Sequence, residues 1–278
     1  MHHNHRHITT GLLSVGLGLT LTATVAAVPA NAQAPQHTPA PLPSVARTNP
    51  IQGSIDQAQR SASGAATAAE VAVRNLPYEA DGNRGSFPDD SVHWIDRTAT
   101  SKIVIVAPHS VKHHRAGQQK ETDTYTGGIA ETLADRVGAS VLTATGEVSD
   151  WGDNWDHRDD DFARALHSLP QDSIIVDLHG MNDSAKNGDI SLGTSKKNSE
   201  TTQRLTQRIQ DSFAGKTTVN RKFPAKAHYT TTHHMQERGM DAIQVELSEQ
   251  FRDPAQLRVG EAVGALQSAL SMTEKMDR

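Results

Sequence analysis

Lys102-Ile-Val-Ile-Val-Ala107 runs directly into Pro108-His109-Ser110. Four β-branched residues in a row, without polar alternation, describe a strand buried on both faces of a sheet. Working outward, residues 126–136 carry Ile129 and Leu133, with Val137 next, at helical spacing, and Gly138 stops them. Residues 140–144 read as a second short strand. Residues 159–169 place Phe162, Ala165, Leu166 and Leu169 on one helical face before Pro170, and Ser173-Ile-Ile-Val-Asp-Leu178 is a third strand. A further strand is expected at 190–193, a polar-faced helix at 200–213, another strand at 242–247, and a closing helix at 254–272 with Pro254 in its first turn. Strands alternating with helices predict an α/β domain with three layers, αβα, around a mixed, mostly parallel sheet.

The 278-residue chain has no cysteine, fifteen histidines and a formal charge of −5. Lacking thiolates, it must hold any metal through histidine, carboxylate and water. Its negative charge disfavours nucleic acid as a partner. Residues 1–32 read as a secretory signal: a weakly basic start with Arg6, an apolar run over 12–28, and Ala30-Asn31-Ala32 before the cleavage point. The apolar run lies at the lower edge of bilayer-spanning length, so cleavage is favoured over a retained anchor. The expected product is secreted, extracellular or associated with the cell wall, and leaves the membrane on cleavage. Residues 33–75 are rich in Pro, Ala, Gln and Ser and read as a tether and spacer, the part over 51–74 being either a weak helix or spacer. The hydrolase-sized domain is then 76–278.

In open α/β sheets, chemistry gathers at the carboxyl ends of the strands. Three predicted strands carry polar residues there: His109 after the first, His179 in Asp177-Leu178-His179-Gly180, and Glu246 between Val245 and Leu247. A lone histidine or glutamate at a strand end is usually a hydrogen-bonded or solvated residue. Three on the same edge point to one site. Two histidines need a third protein ligand to hold zinc with one position open for water, and Lys120-Glu121-Thr122-Asp123-Thr124 offers two carboxylates. Asp123 alternatively caps the following helix, and Glu121 is alternatively a solvated loop charge.

Pro108-His109-Ser110, Arg115, Lys120-x-x-Asp123-x-x-Thr126-Gly127, Asp153-Asn154, Asp177-Leu178-His179-Gly180, and Val245-Glu246-Leu247-Ser248 with Arg252 together resemble the N-formylglutamate amidohydrolase family over about residues 102–270. The resemblance implies a zinc-carboxypeptidase-like (phosphorylase/hydrolase-like) fold and a metal-dependent amidohydrolase acting on a small N-acyl amino acid or related amide. Carried over by position, it implies one zinc ion on His109, His179 and Asp123, with Glu121 as the alternate to Asp123, and Glu246 as the catalytic carboxylate. Arg252 then joins Glu246 as a candidate catalytic residue that could pair with a substrate carboxylate, and Arg115, Asn154 and Arg158 are candidates for binding or polarising the substrate. The arginine expected beside Asp153-Asn154 is replaced by Trp155, the nearest being Arg158. Export suits an external amide, and a cell-wall amidase that uses Glu121 as ligand is the alternative enzyme. A secreted zinc-binding protein without turnover is the alternative from another class.

Of the remaining histidines, His113, His114, His233 and His234 are candidate oxyanion donors. His228, His233 and His234 fall in an expected loop that either lids the substrate or lies on the surface, while His93, His157 and His167 have no supporting neighbours in sequence. Trp151 and Trp155 either wall a cleft or pack at its rim. Asp159-Asp160-Asp161 reads as a helix N-terminal charge cluster.

Overall fold

The run after Lys102 is a strand with all five residues buried. In the computed structural model, residues 50–86, 92–183, 188–195, 198–256 and 258–276 are described, so the expected signal and residues 33–49 of the tether lie outside the described residues. Thr48–Arg278 form one compact unit. Among the described residues no helix is long and apolar enough to cross a membrane.

In chain order the elements begin with α1 (Pro50–Asn83), β1 (Val92–Ile95), β2 (Ile103–Ala107), β3 (His113–Arg115), β4 (Gln118–Lys120), α2 (Thr126–Val137) and β5 (Ser140–Ala144). They continue with α3 (Asp161–His167), β6 (Ile174–Met181), β7 (Ile190–Gly193), α4 (Glu200–Ser212) and β8 (Thr217–Val219), and close with α5 (Thr231–Glu237), β9 (Asp241–Ser248), α6 (Glu249–Arg252) and α7 (Val259–Met276). The seven-stranded sheet has the order β1-β5-β2-β6-β9-β7-β8. Its centre, β5-β2-β6-β9, is parallel, whereas β1 and β7 pair antiparallel with their inner neighbours. The mixed, mostly parallel sheet is as expected from the alternation of segments.

Strand pleating divides the core in two. Ile103, Ile105, Ala107, Val176, Leu178, Ile243 and Val245 face α1, α2, α4 and α7, while Val104, Val106, Ile175 and Ala242 face α3, α5, Trp151 and Trp155. This gives the three layers. The expected helices over 126–136 and 200–213 agree with α2 and α4, and Gly138 ends α2 at φ 71°, a left-handed angle that glycine adopts without strain.

Three expectations shift. Residues 51–74, read as weak helix or spacer, belong to α1, whose Thr67, Ala68, Val71, Asn75 and Tyr78 are buried; the packed unit therefore starts before residue 76. Its docking depends on small residues: a methyl group on Gly128 would meet the Val71 carbonyl oxygen at 2.6 Å, and one on Gly260 would meet the Gly64 backbone at 2.6 Å. The expected closing helix starts at Val259, with Pro254–Gln256 forming a separate 3-10 turn. The expected loop through His233 and His234 is helix α5, capped by Thr230, whose side chain accepts from the His233 N–H. Strands β1, β3, β4 and β8 are too short to show a period in sequence.

Helix α5 meets α3 through an imidazole pair. His234 stacks on Trp155 at 4.9 Å between ring centres, and its Nε2 lies 2.9 Å from Nε2 of His167. One ring must donate and the other accept, so the contact requires neutral imidazole on at least one side. Burial, His167 and Arg238 push His234 down to about 4, with Arg158 adding to this and Asp156 opposing it.

Two outcomes follow from this packing. Gly128→Ala should lower the melting temperature, by about 1–3 kcal/mol of stability, from overpacking against α1. Gly264→Ala, where nothing lies within 4 Å, should leave it unchanged or raise it slightly; thermal denaturation of both variants checks the pair. Because the folded-state value of His234 lies below its unfolded value, its contribution is complete above about pH 6.5 and is lost as pH falls towards about 4. His234→Phe keeps the ring on Trp155 and should flatten the fall in melting temperature between pH 7 and 4.5, whereas an unaltered slope would contradict the assignment.

Candidate metal centre

Parallel pairing brings the strand ends together. β2 leads through Pro108 to His109; β6 and β9 run side by side in a register that sets His179 opposite Glu246 and Asp177 opposite Gln244. On these two strands the even-numbered apolar and odd-numbered polar positions separate by pleat in β6, and the reverse in β9, so Asp177, His179, Gln244 and Glu246 share the face that carries α3 and α5.

Three side chains converge. His179 Nδ1 lies 3.1 Å from His109 Nδ1, and Asp123 Oδ2 lies 3.5 Å from His109 Nδ1 and 3.4 Å from His179 Nδ1. Ligands about 2.0–2.1 Å from a tetrahedral zinc ion stand roughly 3.3 Å apart. The triangle therefore has the dimensions and the nitrogen and oxygen donors that suit a zinc ion, with the three ligand atoms all within 4.8 Å of one another.

Each ligand is held from behind. His179 Nε2–H donates to Asp177 Oδ1 at 3.1 Å, leaving Nδ1 free to face His109; Asp177 is fully buried, and its other oxygen accepts from the backbone N–H and the hydroxyl of Thr232 at the start of α5. A carboxylate behind the imidazole fixes both its tautomer and its ring direction. His109 is clamped by His113, stacked at 4.0 Å, and by Trp151, edge-on at 5.1 Å. Asp123 is positioned by its own N–H, which donates to the His109 carbonyl at 2.8 Å, and by Thr122 Oγ1, which bonds the His109 and Ser110 carbonyls.

The charges respond to this crowding. Burial would raise Asp123, but hydrogen bonds and charge from His109 and His179 hold it well below the usual carboxylate range. Burial depresses His109 well below its ordinary value; it also acts to depress His179, but there Asp177, Asp123 and Glu246 outweigh it and raise the imidazole well above normal. Glu246 is pushed up to about 7 by burial, with Asp123 and Asp177 adding to this and His179 opposing it. A carboxyl group poised there can both accept and give a proton near neutral pH.

These groups open on a cavity of about 290 Å³, lined by His109, Asp123, His179 and Glu246, and also by Arg115, Trp151, Gly180, Gln244 and the segment from Lys222 to Thr231. Arg115 sits at the end of β3, where the Ala116-Gly117 turn takes φ of 53° and 71° and Asp150 accepts from both turn amides. Its guanidinium lies 3.3 Å from His109 Nε2, and among the described residues no carboxylate pairs with it.

Several expected site residues lie elsewhere. Glu121 is 80% exposed and pairs with Lys112, so the third ligand position falls to Asp123, and the cell-wall amidase arrangement that needed Glu121 is not favoured. Asp123 does not cap α2, whose N-cap, Tyr125, makes no side-chain cap bond. Asn154 is exposed, and its side chain accepts from the Asp156 N–H. Arg158 is sandwiched between Trp151 and Trp155, 4.3 Å from each ring centre, and bonded to Asp160; it braces the core and does not line the cavity. Arg252 lies behind Gly180, where its Nη1 donates to the Thr124 carbonyl at 3.0 Å and to the Thr124 hydroxyl, so it supports the Asp123 loop from outside the cavity. His114 pairs with Glu147, and His234 belongs to the α3–α5 contact with His167. Of Asp159-Asp160-Asp161, Asp160 is the N-cap of α3.

Residues missed in the sequence are Asp177 as the support of His179, Gln244, and the wall formed by Lys222, Phe223 and Tyr229. The first two carried a signal: each stands two residues before a functional residue on a strand, hence on the same face. The wall comes from a stretch without periodicity.

No curated protein matches the chain. Among solved structures, N-formylglutamate amidohydrolase from Ralstonia eutropha JMP134 is similar at 13% identity and a TM-score of 0.45, over 68% of this chain and 99% of that one. A metallo-carboxypeptidase from Pseudomonas aeruginosa, in complex with (2-guanidinoethylmercapto)succinic acid, is similar at 13% identity and a TM-score of 0.42, over 67% of this chain and 61% of the other. N-acetylmuramoyl-L-alanine amidase from Clostridium difficile 630 follows at 15% identity and 0.34, over 60% and 96%. Residues 159–251, which carry Asp177, His179, Gln244 and Glu246, match the sequence model of the N-formylglutamate amidohydrolase family, the family that the motifs of the chain resemble.

Proposed function

We propose that this chain is a secreted, zinc-dependent amidohydrolase that cleaves the amide bond of a small N-acyl amino acid or a related peptide-like substrate. The observation that carries this reading is the His109-Asp123-His179 triangle with Glu246 beside it in one cavity. The family match over residues 159–251 supports the amidohydrolase chemistry. Secretion rests on the sequence of residues 1–32 alone.

His109, His179 and Asp123 would hold the ion, which when bound supplies an acidified water and a Lewis acid for the carbonyl. Glu246 takes a proton from the attacking water and returns it to the departing nitrogen. Asp177 keeps His179 pointed inward throughout. Arg115, unpaired by any carboxylate among the described residues, offers its guanidinium to a substrate carboxylate or to the developing oxyanion. Trp151, Phe223 and Tyr229 wall the cavity and limit water around the reacting bond.

The test is hydrolysis of N-formyl- and N-acetylglutamate beside peptidoglycan fragments. Turnover of the N-acyl amino acids is expected, and Glu246→Gln should lower it by about 10²- to 10⁴-fold while zinc content stays at the parent level. Zinc-loaded parent that hydrolyses neither class, or a Glu246→Gln variant of undiminished rate, would rule the reading out.

A further inference from the structure

Gln244 stands apart from the groups already given roles. It lies on β9 two residues before Glu246, on the same face, and it lines the same cavity. Only 5% of its surface is exposed. Its Nε2 donates to Glu246 Oε1 at 2.7 Å, the orientation that the ionised form of Glu246 requires, because the reverse would set oxygen against oxygen. The carbonyl Oε1 is then left buried with no hydrogen-bond partner among the described residues. A buried acceptor without a donor is costly, and the residue that carries it lines the cavity beside Glu246.

We propose that Gln244 contacts the scissile amide: its Oε1 accepts the N–H of the leaving nitrogen, while its Nε2 holds Glu246 where it can protonate that nitrogen. This rests on the proposed amide hydrolysis. In the step, water oxygen bonds to the carbonyl carbon, the C–N bond breaks, and one water proton passes through Glu246 to nitrogen, giving a carboxylic acid and an amine, which part as carboxylate and ammonium once the acid's remaining proton follows to nitrogen. As the nitrogen gains its proton it becomes a stronger donor, so its bond to Gln244 strengthens towards the transition state. The contact therefore favours amides over esters, whose leaving oxygen has no hydrogen to offer.

The experiment compares two probes that differ at that atom: N-acetylglutamate and its ester analogue 2-acetoxyglutarate. Gln244→Met, similar in shape but without acceptor or donor, should lower kcat for the amide about 10- to 100-fold and the ester substantially less, so that the amide-to-ester ratio falls about tenfold. Gln244→Glu keeps an acceptor but loses the donor to Glu246; it should slow both probes and keep the ratio within about threefold of the parent, which also covers failure of the Met variant to fold. Melting temperature and zinc content are measured alongside. Equal losses on both probes in Gln244→Met, or in Gln244→Glu a ratio that collapses, overturn the contact with nitrogen. A zinc-loaded parent inactive on both probes overturns the amidohydrolase reading and this inference with it, an outcome distinct from equal losses.

Discussion

The parallel register between β6 and β9 is the constraint on which the site depends. Because His179 sits opposite Glu246, and Asp177 opposite Gln244, four polar side chains occupy adjacent positions on one face of the sheet. A slip of one residue in either strand would turn that strand's pair towards α1, α2, α4 and α7 and bring apolar residues into the cavity. The register is set by the opposite face, where Val176, Leu178, Val245 and Leu247 are buried in the larger core. Packing on one side of the sheet thus fixes chemistry on the other.

Burying so much charge requires compensation. Asp177 is wholly inaccessible, and an isolated carboxylate there would cost several kcal/mol. Three hydrogen bonds remove that penalty: one from His179 and two from Thr232. Thr232 belongs to α5, so the helix that closes the cavity wall also orients His179 through one carboxylate. The same helix reaches α3 through His234 and His167, outside the site. Local packing of α5 and the direction of His179 are therefore parts of one hydrogen-bonded arrangement.

What was legible in the sequence follows from periodicity. The β-branched runs at 103–106 and 174–176 identified central strands, and the strand-end rule singled out His109, His179 and Glu246, which the structure brings to one cavity. The choice between Asp123 and Glu121 was not legible, because it depends on a loop path set by the Asp123 N–H and Thr122 bonding back to His109. Arg158 and Arg252 were misread for a related reason: a buried arginine resembles a substrate anchor in sequence, but aromatic faces around one and the Thr124 oxygens beside the other turn them to support. Helix α1 was read as possible spacer because its interface uses glycine and alanine, whose small size matters only against a specific neighbour.

The central claim is that His109, His179 and Asp123 bind one zinc ion through two inward Nδ1 atoms and a carboxylate oxygen. Zinc-edge X-ray absorption on the purified domain after metal-supplemented purification tests it most directly. The account predicts about one zinc per chain with nitrogen and oxygen neighbours near 2.0 Å, including the scattering of two imidazoles, and loss of that signal in His179→Ala. A parent with less than about a tenth of that zinc, or a zinc shell unchanged in His179→Ala, would contradict it.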